Sequence, residues 1–334
     1  MNPVNLPVVD SFGRTHRNLR IGVTDRCNIR CFYCMPNENI QFLPHKDILS
    51  FEEIVTFVQT VVPMGFERIR LTGGEPLVRR ELWKLIEQLV AIDGIRDVAM
   101  TTNGILLEKH AEDLFNAGLH RLNISLDTVN EEMFQRIARR SGLQQVLDGI
   151  KRAKEVGFRK IRINAVSIAD VTESEIVPLA EFACREELEL RFIEFMPLDA
   201  EGNWASDKVL SGAKVKQIIE ENVGRLIPAE RPDPSQPAVD YKFENKAGRI
   251  GFINPVSEPF CGNCDRLRLT SEGKLRNCLF STVEWDLRRL LRENASQQEI
   301  EALVRECVSK KKPGHGIDSD EFLRPSRSMY QIGG

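Results

Sequence analysis

A chain of 334 residues has room for two domains, or for one barrel of up to ~250 residues with an appendage. Hydrophobic residues at 42% and charged residues at 28% are those of an ordinary globular protein. A net charge of -3 gives no general attraction to nucleic acid or to a membrane surface, so any bound anion must be held by local charge.

No run reads as a secretory h-region, and none is apolar for long enough to span a bilayer. The expectation is a cytoplasmic, reducing compartment in which cysteines hold metal rather than pair as disulfides. The first β-rich run, 19–24, leads straight into Cys27-Asn-Ile-Arg-Cys31-Phe-Tyr-Cys34. This C-x3-C-x2-C spacing packs three thiolates into eight residues, whereas an iron–sulfur cube takes four ligands. One iron is left for a small molecule to bind and react. Zinc sites more often use paired C-x2-C half-sites, and no His lies close to this run.

Helical spacing follows over 51–62, then a strand over 68–72 that runs into Thr72-Gly-Gly-Glu-Pro76. Missing β-carbons at Gly73 and Gly74 would let backbone approach a ligand. A helix is predicted over 81–91 and a strand over 97–102, ending in Thr101-Thr-Asn103-Gly104. Next come a helix over 108–117, a strand over 121–126 that delivers Ser125 and Asp127, and a helix over 143–156. A strand over 160–166, a helix over 175–184 and a strand over 190–195 ending at Met196-Pro197 complete the series. Gly94, Gly118 and Gly157 sit where three of the helices should stop. Cys184 and Cys307 fall on apolar helical stripes and read as packing residues.

Six βα units predict a parallel sheet, and specifically an incomplete (βα)6 TIM-type barrel with chemistry at the C-terminal ends of its strands. A doubly wound open sheet is the competing architecture. Pro228, Pro232, Pro234 and Pro237 mark a linker or loop over 228–240. It divides a barrel part, 1–227, from a smaller α+β part, 241–334, expected to cover the lateral opening. The second part carries Cys261-Gly-Asn-Cys264 and, after thirteen residues, Cys278. Spacing alone leaves zinc and a second iron–sulfur cluster both open there. Arg266 and Arg268 alternate as on a strand, so both guanidiniums share one face. Arg20, Arg70, Arg162 and Arg191 lie near or within four predicted barrel strands, where charge is costly unless a polyanion occupies the interior.

The string Leu19-Arg-Ile-Gly-Val-Thr-Asp-Arg-Cys-Asn-Ile-Arg-Cys-Phe-Tyr-Cys-Met-Pro36, with its aromatic Tyr33 before the last cysteine, resembles the radical S-adenosylmethionine (SAM) superfamily. Within it, the string resembles the GTP 3′,8-cyclases of molybdenum cofactor biosynthesis. The resemblance implies two [4Fe–4S] clusters, on Cys27/Cys31/Cys34 and on Cys261/Cys264/Cys278. It implies SAM contacts at Tyr33, Gly73, Gly74, Glu75, Ser125 and Met196, with Asn103 a neighbour on the same rim. It also implies a GTP site lined by Arg20, Arg70, Thr101, Arg266, Leu267 and Arg268, with Arg162 where the family commonly has Lys and Arg191 beside it. Arg266 and Arg268 would act directly on the reacting nucleotide, and the Gly333-Gly334 tail would enter the active site. An electron donor and the cyclic pyranopterin monophosphate synthase are the implied partners, with no nucleic acid and no membrane. Monomer and homodimer are both open on the sequence. Two other readings compete: a radical SAM enzyme for a peptide or another nucleotide, and a zinc module binding nucleic acid. The acidic net charge and the lack of a basic stripe speak against the last.

Overall fold

Strand and helix alternate through residue 194 in the computed structural model, which describes residues 6–35, 37–198, 202, 204–231, 233–317, 319–320 and 322–333. Pro36, Pro232 and Gly334, singled out above, lie outside the described residues. The barrel strands are β1 (Asn18–Gly22), β2 (Arg68–Thr72), β3 (Asp97–Thr102), β4 (Arg121–Ser125), β5 (Ile161–Ser167) and β6 (Glu189–Glu194). Between them run α1 (Phe51–Val61), α2 (Leu82–Val90), α3 (Leu107–Asn116), α4 (Glu131–Ala138), α5 (Leu143–Val156) and α6 (Ile176–Arg185).

Local chemistry explains the boundaries. Ser50 opens α1 with a capping box: its Oγ accepts from Glu53 N, and the Glu53 carboxylate accepts from Ser50 N at 2.7 Å. Gly157 closes α5 with φ 116°, a conformation that L side chains rarely adopt. The sequence spacing did not reveal α4, a short helix capped by Asn130. Its last carbonyls matter, because Ile137 O and Ala138 O accept from Phe32 N and Arg30 N and so carry the cysteine loop.

The remaining elements are α7 (Gly212–Asn222), β7 (Leu226–Pro228), β8 (Val239–Phe243), β9 (Arg249–Ile253), β10 (Arg266–Leu269), β11 (Lys274–Arg276), β12 (Trp285–Asp286), α8 (Leu287–Arg292) and α9 (Gln297–Ser309). They do not form a sheet of their own. One twelve-stranded sheet has the order β12-β11-β10-β1-β2-β3-β4-β5-β6-β9-β8-β7. β10 lies parallel to β1 and β9 lies parallel to β6, so the later part of the chain extends the barrel wall from both edges. Six strands become eight parallel ones, with the gap falling between β9 and β10.

Alternation along each strand sorts side chains to the two faces of that wall. In β1 and β2, Leu19, Ile21, Ile69 and Leu71 are buried in the hydrophobic core with residues of the helices, while Arg20 and Arg70 face the lumen. In β5, Ile161, Ile163 and Ala165 are buried in that core, and Arg162, Asn164 and Val166 turn inward.

Candidate active site

A cavity of about 730 Å3 runs through the barrel interior from the cysteine loop to the N-terminal ends of the strands. Its walls include Cys27, Cys31, Tyr33, Cys34, Gly73, Gly74, Glu75, Thr101, Asn103, Ser125 and Met196, together with Arg20, Arg70, Arg162, Arg191, Arg266 and Arg268. Leu267 is different. It alternates away from its two arginine neighbours into the hydrophobic core, fully buried, so its backbone and not its side chain is what it can offer a ligand. Cys261, Cys264 and Cys278 adjoin the cavity through Phe260, Asp265 and Leu279, which do line it.

The cysteine loop is held on three sides. Arg30 folds back inside it, donating to Cys27 O at 2.9 Å and Ile29 O at 2.8 Å. Tyr33 donates its hydroxyl to Asp127 Oδ2 at 2.6 Å, and Asp127 Oδ1 accepts from Val166 N at 2.8 Å, which ties the loop to β4 and β5. The glycine pair after β2 closes the third side. A β-carbon on Gly74 would stand 2.1 Å from Arg26 O, and one on Gly73 would stand 2.3 Å from Thr24 O. Gly74 N and Glu75 N donate to Thr24 O and Arg26 O at 2.8 and 2.7 Å. The glycines are therefore required first for one loop to lie against another.

Glu75 is 1% exposed, and its carboxylate already accepts from Thr102 Oγ1, Asn103 N and Leu77 N, at 2.7, 2.7 and 3.0 Å. Burial pushes its pKa up to about 7 against those three donors. The turn it braces points Asn103 Nδ2 at Asn28 Oδ1 (2.7 Å) and at Cys27 Sγ (3.8 Å). Asp127, Asn28 and Thr102 were not singled out as site residues by sequence reasoning. For Asp127 a signal existed, since it stands two residues past Ser125 at a strand end.

None of the six clustered cysteines is in a disulfide. Burial raises the pKa of Cys27 to about 11 with help from Glu75, and raises that of Cys34 to about 12 with help from Cys27. Cys31 is raised well above its ordinary value, by burial first, then by Asp127 and its sister thiols. Three crowded soft donors in an acidic, water-poor wall call for a positively charged inorganic core. Among the described residues no three His, Cys, Asp or Glu side chains converge tightly enough to share a single ion. Iron–sulfur cubes take thiolate ligands at their corners. Both cysteine triads fit such clusters in donor type and number.

The second triad sits among cations. Burial raises the Cys264 pKa, but Arg266 and Lys311 outweigh it and bring the thiol down to about 6. Arg266 Nε donates to Cys264 Sγ at 3.4 Å. Between the triads runs the C-terminal tail: the Tyr330 backbone N–H reaches the Cys34 thiol, and Arg268 Nη1 donates to Gly333 O.

The arginines form a register of their own. Arg268, Arg20 and Arg70 are Cα partners across β10, β1 and β2, three like charges on one level of the wall. Such opposition is destabilising in an empty lumen. Arg70 makes no hydrogen bond or ion pair among the described residues; burial, then Arg20, Arg121, Arg191 and Arg162, press its pKa well down. Arg162 and Arg191 differ, since both hold Glu189 at 2.7 Å and Arg191 also reaches Asp240 at 3.3 Å.

Residues 21–183 match the model of the radical SAM superfamily, and residues 188–317 match that of the molybdenum cofactor synthesis C-terminal family. A GTP 3′,8-cyclase of Rhodopirellula baltica is 49% identical over 98% of this chain and 92% of its own length. One from Thermodesulfovibrio yellowstonii is 43% identical over 97% and 99%. The chain belongs to the GTP 3′,8-cyclase family. Among solved structures, Streptococcus suis SuiB bound to S-adenosylmethionine superposes with a TM-score of 0.60 at 14% identity, covering 90% of this chain and 69% of SuiB. At that identity the likeness speaks for the shared fold alone. In this chain the barrel wall carries the arginine register on its lumen face.

Proposed function

We propose that this protein is a GTP 3′,8-cyclase that converts GTP to (8S)-3′,8-cyclo-7,8-dihydroguanosine 5′-triphosphate, the first step of molybdenum cofactor biosynthesis. The observation that carries the substrate is the level of Arg268, Arg20 and Arg70, with Arg70 lacking any acidic partner among the described residues. A triphosphate supplies the negative charge that Arg70 lacks among the described residues, and guanidinium forks match its oxygens.

On this reading Cys27, Cys31 and Cys34 would hold the first cluster and Cys261, Cys264 and Cys278 the second. When bound, the first cluster with SAM would supply the one-electron chemistry that starts the reaction on the ribose of GTP. The chain's own contribution is placement and dryness. The carbonyls of Gly73 and Gly74, fixed against the cysteine loop, suit the ammonium of SAM; Ser125 and Met196 flank the rest of it. Glu75 acts through Asn103, whose orientation it sets. Arg20, Arg70, Arg266 and Arg268 grip phosphates at the β10–β1–β2 side, Thr101 lies beside them, and Arg162 and Arg191 stay tethered to Glu189, so they guide rather than grip. The Met329–Gly333 tail closes the cavity between the two cysteine sets. Residues 1–227 would carry SAM and 241–334 the second cluster, joined by 228–240.

The reaction also requires an electron donor, and its product requires the synthase that makes cyclic pyranopterin monophosphate; both are proposed partners. No described helix is long and apolar enough to cross a membrane. We place the enzyme in the cytoplasm, as a monomer or homodimer. The test is anaerobic reconstitution followed by reduction with SAM, with and without GTP. The expected result is 5′-deoxyadenosine release coupled to a cyclised nucleotide; release that ignores GTP and gives no such product would sink the assignment.

A further inference from the structure

Lys311 follows α9 in a turn and its side chain returns into the protein, where it is 5% exposed. Its Nζ donates to Arg266 O at 2.8 Å, the carbonyl two residues beyond Cys264. An ammonium so far out of water costs several kcal/mol unless an anion stands near it. No carboxylate pairs with it among the described residues. Burial lowers its pKa first; Cys264 and Cys278 push it back up, and Arg266 and Arg14 press it down.

The segment that carries Lys311 is fastened to the same cysteine set. Arg14 Nη1 donates to Cys261 O at 2.8 Å and to Pro313 O at 3.1 Å, and its Nη2 donates to Lys312 O at 2.8 Å. Asp10 Oδ2 holds Arg14 Nε at 2.6 Å from below, inside a buried pocket shared with His16. One guanidinium therefore locks a ligand residue's carbonyl to the turn that presents the ammonium. A peg for the turn alone would not need a buried charge.

We propose that Lys311 is a fixed counter-cation of the second iron–sulfur cluster, a positioning residue that raises that cluster's reduction potential while Arg14 and Asp10 hold it in place. A cation beside a cluster favours the form with one more electron, because reduction adds a negative charge. The inference rests on the reading that Cys261, Cys264 and Cys278 hold a cluster.

Potentiometric titration of the reconstituted holoenzyme with dithionite and mediators, followed by electron paramagnetic resonance, tests it in wild type, K311M, K311Q and K311R. In K311M the second cluster should be about tenfold less reduced at a given potential, a downward shift of about 59 mV for one electron. The first cluster should stay where it is, and K311R should recover most of the shift. K311Q keeps an N–H for Arg266 O without the charge; it must shift like K311M, and it decides the matter if K311M fails to load iron. A second midpoint that does not move in K311Q, or midpoints that move together, overturns the proposal. Iron analysis separates the two failures, since a wild type with a single cluster overturns the reading beneath it and the proposal with it.

Discussion

The two cysteine triads offer the same three donors in opposite surroundings. Around the first, Glu75 and Asp127 add to burial and hold the thiols protonated in the cofactor-free protein. Around the second, Arg266 and Lys311 overcome burial at Cys264. Cluster potentials follow net local charge and hydrogen bonding. An acidic wall suits a site that gives its electron away, and a basic wall suits one that meets an anionic nucleotide. Ligand spacing alone would make the pair look interchangeable; their neighbours assign them different work.

The largest effects should come from breaking one triad at a time. Cys27→Ala, Cys31→Ala or Cys34→Ala should take SAM cleavage to background, whereas C261A or C264A should leave cleavage measurable and remove the cyclised product. Chromatography of 5′-deoxyadenosine and nucleotide from the same reaction reads both, and equal losses from either triad would erase the distinction. Arg70→Met comes next. Losing a charge-assisted contact of roughly 1.5–3 kcal/mol should raise the KM for GTP by about 10- to 100-fold and leave SAM binding alone. The same variant should unfold later than wild type without ligand, since it relieves like-charge crowding at one level of the wall.

Two pH limbs sharpen the contrast in the cofactor-free protein. Glu75 titrates in the fold at about 7, above its ordinary 4.5, so the proton it keeps stabilises the fold fully below 4.5, and this is lost as pH rises through 7. The span corresponds to about 3 kcal/mol, and urea unfolding of Glu75→Gln should lack that slope. His16 is opposite in sign. Burial, then Lys311, lower its pKa from 6.5 to about 4, so its contribution is present above 6.5 and lost as pH falls through 4. His16→Asn should flatten this acid limb by no more than about 3 kcal/mol.

Much of this was legible in the chain. The cysteine run, the six βα units and the turn glycines declare themselves through local spacing, and each depends on neighbours only a few residues away. Arg20, Arg70 and Arg268 could be suspected one by one, but their common level depends on β10 pairing with β1, a union of residues about 250 apart that no period announces. Leu267 joins the expected site through the family resemblance; strand alternation turns its side chain into the core and leaves its backbone as what it can offer a ligand. The Tyr33–Asp127 bond and the hold of Arg14 on Cys261 likewise join segments 94 and 247 positions apart. α4, only eight residues long, and α7 also escape the sequence reading.

The seam between β1 and β10 also bears on how the chain is made. During synthesis β1 emerges among the earliest segments, yet one of its edges has no partner until residues 266–269 leave the ribosome. For most of translation a strand with apolar Leu19 and Ile21 presents open backbone to any passing extended chain. A nascent protein arrested before β10 should therefore be the species that chaperones hold or that aggregates, and truncations ending before residue 266 should be insoluble rather than merely inactive.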